Sequence, residues 1–117
     1  MKQNVIFHNP RCSKSRATLN LLQEKGIEVK VVEYLDQPPS KLQLKFICNS
    51  LGVEPKTIVR TKDDLFKQLR LSIKDKRSAN EWISILHNNP KLIERPIVVY
   101  KGKVAVGRPP ENVLKII

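Results

Sequence analysis

Hydrophobic positions in the first third of the chain recur with a period that changes twice, and each change marks a boundary between predicted elements. The apolar run Asn4–His8 indicates a short strand, and apolar residues at helical spacing follow over Ser13–Lys25. Gly26 is suited to end that helix, and Ile27–Tyr34 alternates in the manner of a second strand. These elements predict a β-α-β unit with parallel strands and a right-handed crossover.

Helical patterns fill the middle of the chain. Ser40 is suited to cap a helix, and Ser78 with Glu81 fits the capping box, in which two side chains satisfy free backbone N–H groups reciprocally. Pro55 suits the first turn of a short helix, and a further helix is predicted over Asp63–Leu69. We therefore expect a helical block over about residues 40–90.

The last third of the chain returns to short strands. Ile97–Tyr100 and Val104–Val106 flank Lys101-Gly102, which has the length of a hairpin turn, and Glu111–Ile117 is predicted to form a short helix. The predicted fold is α/β and thioredoxin-like: a four-stranded mixed sheet with a helical insertion between its β-α-β and β-β-α halves. The core would comprise about residues 1–36 and 91–117 of a single domain, 1–117.

The length and composition of the chain agree with one domain in a reducing compartment. A chain of 117 residues with 40% hydrophobic content can form a modest core without a disulfide or a structural metal. No run approaches the ~18 apolar residues of a membrane span. Met1–Asn4 lead into the first strand without a signal-peptide pattern. We expect a cytoplasmic monomer with no membrane partner.

The formal net charge of +11 is typical of proteins that bind nucleic acid, but its distribution is not. Fifteen of the 22 basic residues are lysines spread through every segment, without a basic run, interleaved aromatic residues or a reader motif. This pattern favours a solvated surface rich in lysine, and the functional alternative is a positive field that attracts anions. We expect no nucleic-acid partner.

The two cysteines require separate explanations. Cys12 and Cys48 are 36 positions apart, so they form no CxxC pair, and no Cys/His cluster has zinc-ligand spacing; no metal site is expected. A disulfide is not expected in a reducing compartment either. Cys48 shares an apolar helical pattern with Leu44 and Leu51 and is interpreted as a core residue.

Cys12 is the main candidate for chemistry. It follows a strand and a proline-containing turn and lies where the first helix begins, so free N–H groups and the helix dipole favour its thiolate. Neighbouring basic residues add positive potential: His8, Arg11, Lys14 and Arg16. The same N–H groups offer a site for an oxyanion. We therefore interpret Cys12 as a reactive nucleophile.

Two features of the segment after Cys12 narrow its chemistry. Residue 15 is serine, so the motif holds no resolving thiol, and a mixed disulfide would need an outside thiol, or Cys48 if the fold brings it near. The loop of cysteine-dependent phosphatases places an arginine after five intervening residues, whereas Arg16 follows after three and residue 18 is threonine. The phosphatase loop is therefore excluded.

The segment Phe7–Arg16 resembles the cysteine motif of the arsenate reductase (ArsC) family, whose enzymes depend on glutathione and glutaredoxin and which includes the Spx-type regulators. Further family motifs follow in order over nearly the whole chain: Tyr34-Leu35 before Pro38-Pro39, Val59-Arg60, Glu94–Val99 and Val106–Pro109. The sequence runs only a short way past the last motif, which resembles the short, YfgD-like branch. Separated motifs at consistent spacing make the resemblance specific.

The resemblance implies a role for each matching residue. Cys12 would be the nucleophile and His8 a partner that helps to keep it ionised. The implied substrate-binding residues are Ser15, Arg60, Arg95 and Arg108. Guanidinium groups suit this task because they bind tetrahedral oxyanions in a bidentate manner and stay charged. Pro96 would follow a cis peptide bond and face the cysteine.

The resemblance also implies an activity: reduction of arsenate to arsenite, with glutathione as co-substrate, glutaredoxin as partner, and no metal or tightly bound cofactor. Two alternatives remain. One is a glutathione-linked thiol oxidoreductase that acts on another oxyanion or on mixed disulfides of proteins. The other is an Spx-like regulator that binds RNA polymerase, although such regulators usually carry a CxxC switch, which Ser15 removes here.

Overall fold

Four short strands form one mixed sheet in a computed structural model that describes residues 1–117. They are β1 (Val5–His8), β2 (Lys30–Glu33), β3 (Ile97–Tyr100) and β4 (Lys103–Val106). Their order across the sheet is β2-β1-β3-β4; β1 is parallel to β2 and antiparallel to β3, and β4 is antiparallel to β3. The predicted thioredoxin-like mixed sheet is confirmed.

The first crossover contains one helix, as the pattern predicts. Helix α1 (Ser13–Glu24) is followed by Gly26, whose φ of 69° lies in the left-handed region that glycine adopts without strain. The N–H group of Ile27 donates to the Leu22 carbonyl oxygen at 2.9 Å. Because this bond closes the helix end, pairing in the sheet begins only at Lys30, and β2 is shorter than predicted.

Buried apolar residues of β1 and β3 form the core of this region, since both strands have a neighbour on each side. One cluster joins the sheet to α1 and to a C-terminal 3-10 helix, Pro110–Lys115: Ile6, Leu22, Val98, Ala105 and Val113. Removing such side chains from water is the main favourable term in folding. The short C-terminal helix predicted from the sequence is present, as a 3-10 helix.

The turn between β3 and β4 matches its sequence signal. Lys101 (φ 49°) and Gly102 (φ 78°) both adopt the left-handed region, as in a type I′ hairpin turn whose twist suits the flanking strands. The Lys101 N–H group donates to the Asn4 side-chain oxygen at 2.8 Å. This bond helps to hold a conformation that a lysine rarely adopts on its own.

Residue contacts divide the chain into two units: the sheet unit, residues 1–37 with 95–117, and the helical unit, residues 38–94. The helical unit contains α2 (Lys41–Leu51), α3 (Asp64–Gln68), α4 (Ala79–Asn88) and the 3-10 helices Pro55–Ile58 and Pro90–Leu92. Its core includes Leu44, Ile47, Trp82, Ile83, Leu86 and Leu92. The assignment of 1–117 to one domain stays a prediction. None of the helices is both long and apolar enough to cross a membrane.

Both predicted serine caps are present in the helical unit. Ser40 and Gln43 exchange side-chain-to-backbone hydrogen bonds, and Ser78 and Glu81 form the same reciprocal pair. Each box satisfies N–H groups that have no partner in the first turn of a helix. Helix α3 begins one residue later than predicted because Asp63 is its N-cap and accepts a backbone N–H group at 2.9 Å.

Candidate active site

Cys12 lies at the N-cap position of α1, at the end of a tight turn. Its N–H group donates to the Asn9 carbonyl oxygen at 3.0 Å, and its carbonyl oxygen accepts the Arg16 N–H at 3.0 Å. The Asn9 side chain accepts the Arg11 N–H at 3.0 Å, and the Arg16 guanidinium donates to the Pro10 carbonyl oxygen at 2.9 Å. These bonds fix the turn and hold Cys12 at the start of the helix.

The surroundings of the Cys12 sulfur favour the thiolate. Burial raises the pKa of the thiol, but the Ser15 N–H, the Arg108 guanidinium and the Lys14 N–H lower the pKa by more, and the net shift is downward. Arg108 Nη1 donates to the sulfur at 3.6 Å. Although Cys12 makes no capping hydrogen bond of ordinary geometry, the N–H groups of the first turn favour its charged form.

Ser15 and His8 form a buried pair in the sheet unit. Ser15 is fully buried, its Oγ lies 2.6 Å from His8 Nδ1, and the same oxygen accepts the Asn9 N–H at 3.0 Å. The side chain of Ser15 thus bonds His8, while its backbone N–H acts on Cys12. His8 makes no hydrogen bond to Cys12 and contacts the segment after it through the Ser15 side chain.

The charge state of His8 follows from three influences. Burial lowers the pKa of His8, the Glu33 carboxylate raises it and Arg16 lowers it, with a net downward shift. His8 and Glu33 are register partners on the parallel strands β1 and β2, so their side chains lie on the same face of the sheet. Since histidine ordinarily has a pKa of about 6.5, the ring is mainly neutral near pH 7.

Two of the three predicted anion-binding arginines lie together in the sheet unit. Arg108 Nη1 donates to the Arg95 carbonyl oxygen at 3.3 Å in addition to the Cys12 sulfur. Arg95 is half-buried, and the bond between Arg95 and Pro96 is cis. The structure therefore brings together one thiol, two guanidinium-bearing residues and the buried serine.

Arg60 belongs to the helical unit. Its N–H group donates to the Leu92 carbonyl oxygen at 2.7 Å, and its guanidinium donates to the Asp63 carboxylate at 3.1 Å. Asp63 also lies 3.7 Å from Lys91 Nζ and caps α3. These contacts hold Arg60 on a well-anchored segment of its unit. Its role in anion binding stays a prediction.

Gly107 imposes a packing constraint that the sequence pattern does not predict. Its N–H group donates to the Pro96 carbonyl oxygen at 2.8 Å. A Cβ atom at residue 107 would lie 2.8 Å from Pro96 Cγ and would collide with Thr18 Oγ1. Only glycine therefore allows the segment before Arg108 to approach both α1 and Pro96. The glycine next to a motif arginine was the available signal, but its contact with Thr18 joins residues far apart in sequence.

Cys48 has surroundings opposite to those of Cys12. It is 3% exposed in α2, and burial raises the pKa of its thiol to about 11. Its interpretation as a core residue is confirmed. No group of three or more His, Cys, Asp or Glu side chains is placed to hold a metal ion.

A partly exposed thiol of lowered pKa, placed at the first helix of a mixed sheet with serine three positions later, defines a thiol protein of the thioredoxin-like class whose motif holds one cysteine. Within that class, the model of the ArsC family matches residues 7–116. The chain belongs to the ArsC family.

Known proteins are similar to the chain over almost its whole length. The uncharacterized protein YfgD of Escherichia coli K12 is 49% identical over 117 residues, which cover 99% of this chain and 98% of that protein. The arsenate reductase of Neisseria meningitidis serogroup A is 49% identical over 114 residues, 97% of each chain. The solved structure of an arsenate reductase from Vibrio cholerae has 45% identity and a TM-score of 0.91, with 97% of each chain covered.

Proposed function

We propose that the protein reduces arsenate to arsenite, with Cys12 as the nucleophile and with glutathione and glutaredoxin as reductants. The observation that carries the proposal is the contact between the Cys12 sulfur and the Arg108 guanidinium at the start of α1. A guanidinium in this place both favours the thiolate and offers a fork for the oxyanion that the thiolate attacks. Relatives similar over nearly the full chain carry the name arsenate reductase.

The proposed oxyanion site combines guanidinium groups with the free N–H groups at the start of α1. The residues assigned to it are Ser15, through its backbone N–H group, and Arg60, Arg95 and Arg108. Arg60 is assigned from its place in the family motif alone. His8 is proposed as a positioning residue, because its 2.6 Å bond holds the Ser15 hydroxyl.

The proposed chemistry balances with two thiols and one molecule of arsenate. The Cys12 thiolate forms a bond to arsenic, and one oxygen of arsenate leaves as water after accepting protons. Glutathione attacks the adduct, and arsenic, having gained two electrons, is released as arsenite. Cys12 and glutathione supply those electrons and remain as a mixed disulfide, which the thiols of glutaredoxin reduce.

Glutathione enters as a co-substrate because the sheet unit holds no second cysteine that could resolve the adduct. The reaction as written requires neither a metal nor a tightly bound organic cofactor. Because the proposed reaction consumes an outside thiol, we propose that the protein works in a reducing compartment such as the cytoplasm.

Arsenate-dependent oxidation of glutathione, measured with purified glutaredoxin, tests the proposal. We expect turnover by the wild-type protein and none by Cys12→Ser, which keeps the size of the side chain but loses the nucleophile. Cys48→Ser is the matched control and should retain turnover, because Cys48 takes no part in the chemistry. Turnover by Cys12→Ser, or none by folded wild-type protein with an active glutaredoxin, contradicts the proposal.

The same assay tests the arginines. Arg108→Lys keeps a positive charge but loses the planar fork, so we expect kcat/KM for arsenate to fall about tenfold or more. Arg60→Ala should raise KM for arsenate by a similar factor if Arg60 binds the oxyanion. Kinetics of Arg60→Ala that match the wild type would remove Arg60 from the site while leaving Cys12 in place.

A further inference from the structure

A cavity of about 240 Å³ opens in the sheet unit next to the turn that precedes Cys12. Residues 9–11 of that turn contribute to its lining, together with Glu33, Leu35 and Asp36 at the end of β2 and beyond it. His8 lines it as well. The cavity therefore adjoins the proposed nucleophile, yet it includes none of the residues assigned to oxyanion binding.

Charged side chains of the cavity are available to a ligand. Glu33, Asp36 and Arg11 are exposed, and their side chains form no ion pair or hydrogen bond within the protein. His8 bonds Ser15 through Nδ1, and its Nε2 has no hydrogen-bond partner. The chain has a net charge of +11, so the electrostatic field of most of its surface repels cations. Two carboxylates in one cavity therefore provide a local site that can attract a cationic group.

We propose that this cavity binds the amino-acid end of the thiol co-substrate, with Glu33 and Asp36 taking its ammonium group and Arg11 its carboxylate. The inference rests on the proposed function, since it concerns the thiol that the proposed reaction consumes. Opposite charges on one ligand end match the mixed charges of the cavity. Leu35, which is 44% exposed, offers an apolar contact for the methylene groups of that end.

The size and position of the cavity suit one end of a peptide thiol. Pockets that enclose a whole drug-sized ligand measure ~300–1,000 Å³, so 240 Å³ accommodates an amino-acid end and leaves the remainder of a tripeptide outside. Asn9 and Cys12 are the first and last residues of a hydrogen-bonded turn, and such ends lie within about 7 Å of each other. The cavity thus lies within one turn of Cys12, a separation that the remainder of a tripeptide is long enough to span.

Exchange of a mixed disulfide on Cys12 provides the test. Cys12 is first converted to its disulfide with thionitrobenzoate. An incoming thiolate attacks the Cys12 sulfur, a new sulfur–sulfur bond forms, the old one breaks, and thionitrobenzoate leaves with the electron pair and is measured by its absorbance. The rate with glutathione is compared with the rate with N-acetylglutathione, which lacks the ammonium charge.

With the wild-type protein we expect glutathione to react about fivefold faster than N-acetylglutathione. This is the largest effect that an exposed pair of opposite charges usually gives. The positive field of the whole chain acts in the opposite direction, because it attracts the more anionic N-acetylglutathione more strongly. The double variant Glu33→Gln/Asp36→Asn should lose the preference, whereas Glu28→Gln, which removes an exposed carboxylate outside the cavity, should keep it. Equal rates in the wild type, or a preference that survives in the double variant, would overturn the proposal.

The test uses no arsenate, so a failed arsenate assay and a failed cavity assay are distinguishable. A second measurement does not depend on the reactivity of Cys12. S-methylglutathione is titrated into Cys12→Ser while NMR follows the signals of His8 and Leu35. Signal shifts that disappear in the added Glu33→Gln/Asp36→Asn background support the site, and a titration without shifts at these residues overturns it.

Discussion

Cys12 and Cys48 are the same residue type in two regions of one chain, and their surroundings give them opposite chemistry. Burial opposes the thiolate at both, but at Cys12 the N–H groups of a helix start and the Arg108 guanidinium outweigh burial, and the pKa falls. Cys48 lies inside α2, where helix bonds use the backbone N–H groups, and burial raises its pKa to about 11. Position relative to a helix end thus decides which thiol can react.

The largest effect expected from this difference is in the rate of alkylation. A pKa of about 11, compared with 9.0 for an ordinary thiol, leaves Cys48 with about one hundredth of the ordinary amount of thiolate. Since the pKa of Cys12 is lowered, we expect iodoacetamide to modify Cys12 at least about 100-fold faster near neutral pH. Mass spectrometry of peptides from timed reactions measures both rates.

Denaturant supplies the control for that experiment. Unfolding removes both environments, so the two rates should approach each other in concentrated guanidinium chloride. Comparable rates for Cys12 and Cys48 in the folded protein would contradict the comparison.

Two glycines extend the comparison from the thiols to the backbone of the two units. In the sheet unit, Gly107→Ala forces a methyl group against Pro96 and Thr18, and we expect the free energy of unfolding to fall by about 2–3 kcal/mol. In the helical unit, Gly52 has a φ of 70° and open space around it, so Gly52→Ala should cost only about 1 kcal/mol of backbone strain. Urea unfolding measures both values. If Gly52→Ala lowered the free energy of unfolding more than Gly107→Ala does, the packing around Gly107 would be looser than described.

The first residues of α1 and α2 give the smallest expected difference in stability between the two units. Ser40 caps α2, so Ser40→Ala should lower the free energy of unfolding by about 1 kcal/mol. Cys12 makes no capping bond, so Cys12→Ser should raise it by about 0.5 kcal/mol at low pH, because serine is a preferred cap. Urea unfolding of the variants beside the wild type checks both signs.

The effect of Cys12→Ser should also depend on pH. A folded-state pKa below the unfolded value gives the wild type extra stability as the thiolate forms. That contribution is complete above the unfolded pKa and is lost as pH falls through the folded pKa. The advantage of Cys12→Ser should therefore shrink as pH rises, and an advantage that is constant with pH would contradict a lowered pKa.

The parts of the fold that could be predicted are those specified by nearby residues. Alternation and helical spacing predicted the strands and helices, and serine with glutamate three positions later predicted the cap of α4. The length of β2 was overestimated because alternation continues through Ile27, whose N–H group is used to close α1. Such competition between a helix end and a sheet is decided by hydrogen bonds that the sequence pattern does not contain.

The candidate site divides in the same way. The position of Cys12 at a helix start followed from local order, whereas its contact with Arg108 joins residues 96 positions apart and was available only through the family resemblance. The resemblance implied that Ser15 binds substrate, but it did not indicate that the Ser15 hydroxyl contacts His8 and Asn9 while the backbone N–H group acts on the sulfur. The pairing of His8 with Glu33 depends on strand register, which a β-α-β prediction leaves open.

Ser15 occupies the position that the second cysteine has in a CxxC motif. Its presence there affects how long Cys12 stays modified. Once Cys12 carries an adduct in the proposed reaction, the sheet unit offers no second thiol to displace it, because residue 15 is a serine and Cys48 belongs to the helical unit. The lifetime of that form is then set by the concentration of thiol outside the protein. A shortage of reductant would hold the molecules in the modified form, and their output would follow the supply of reductant in their surroundings.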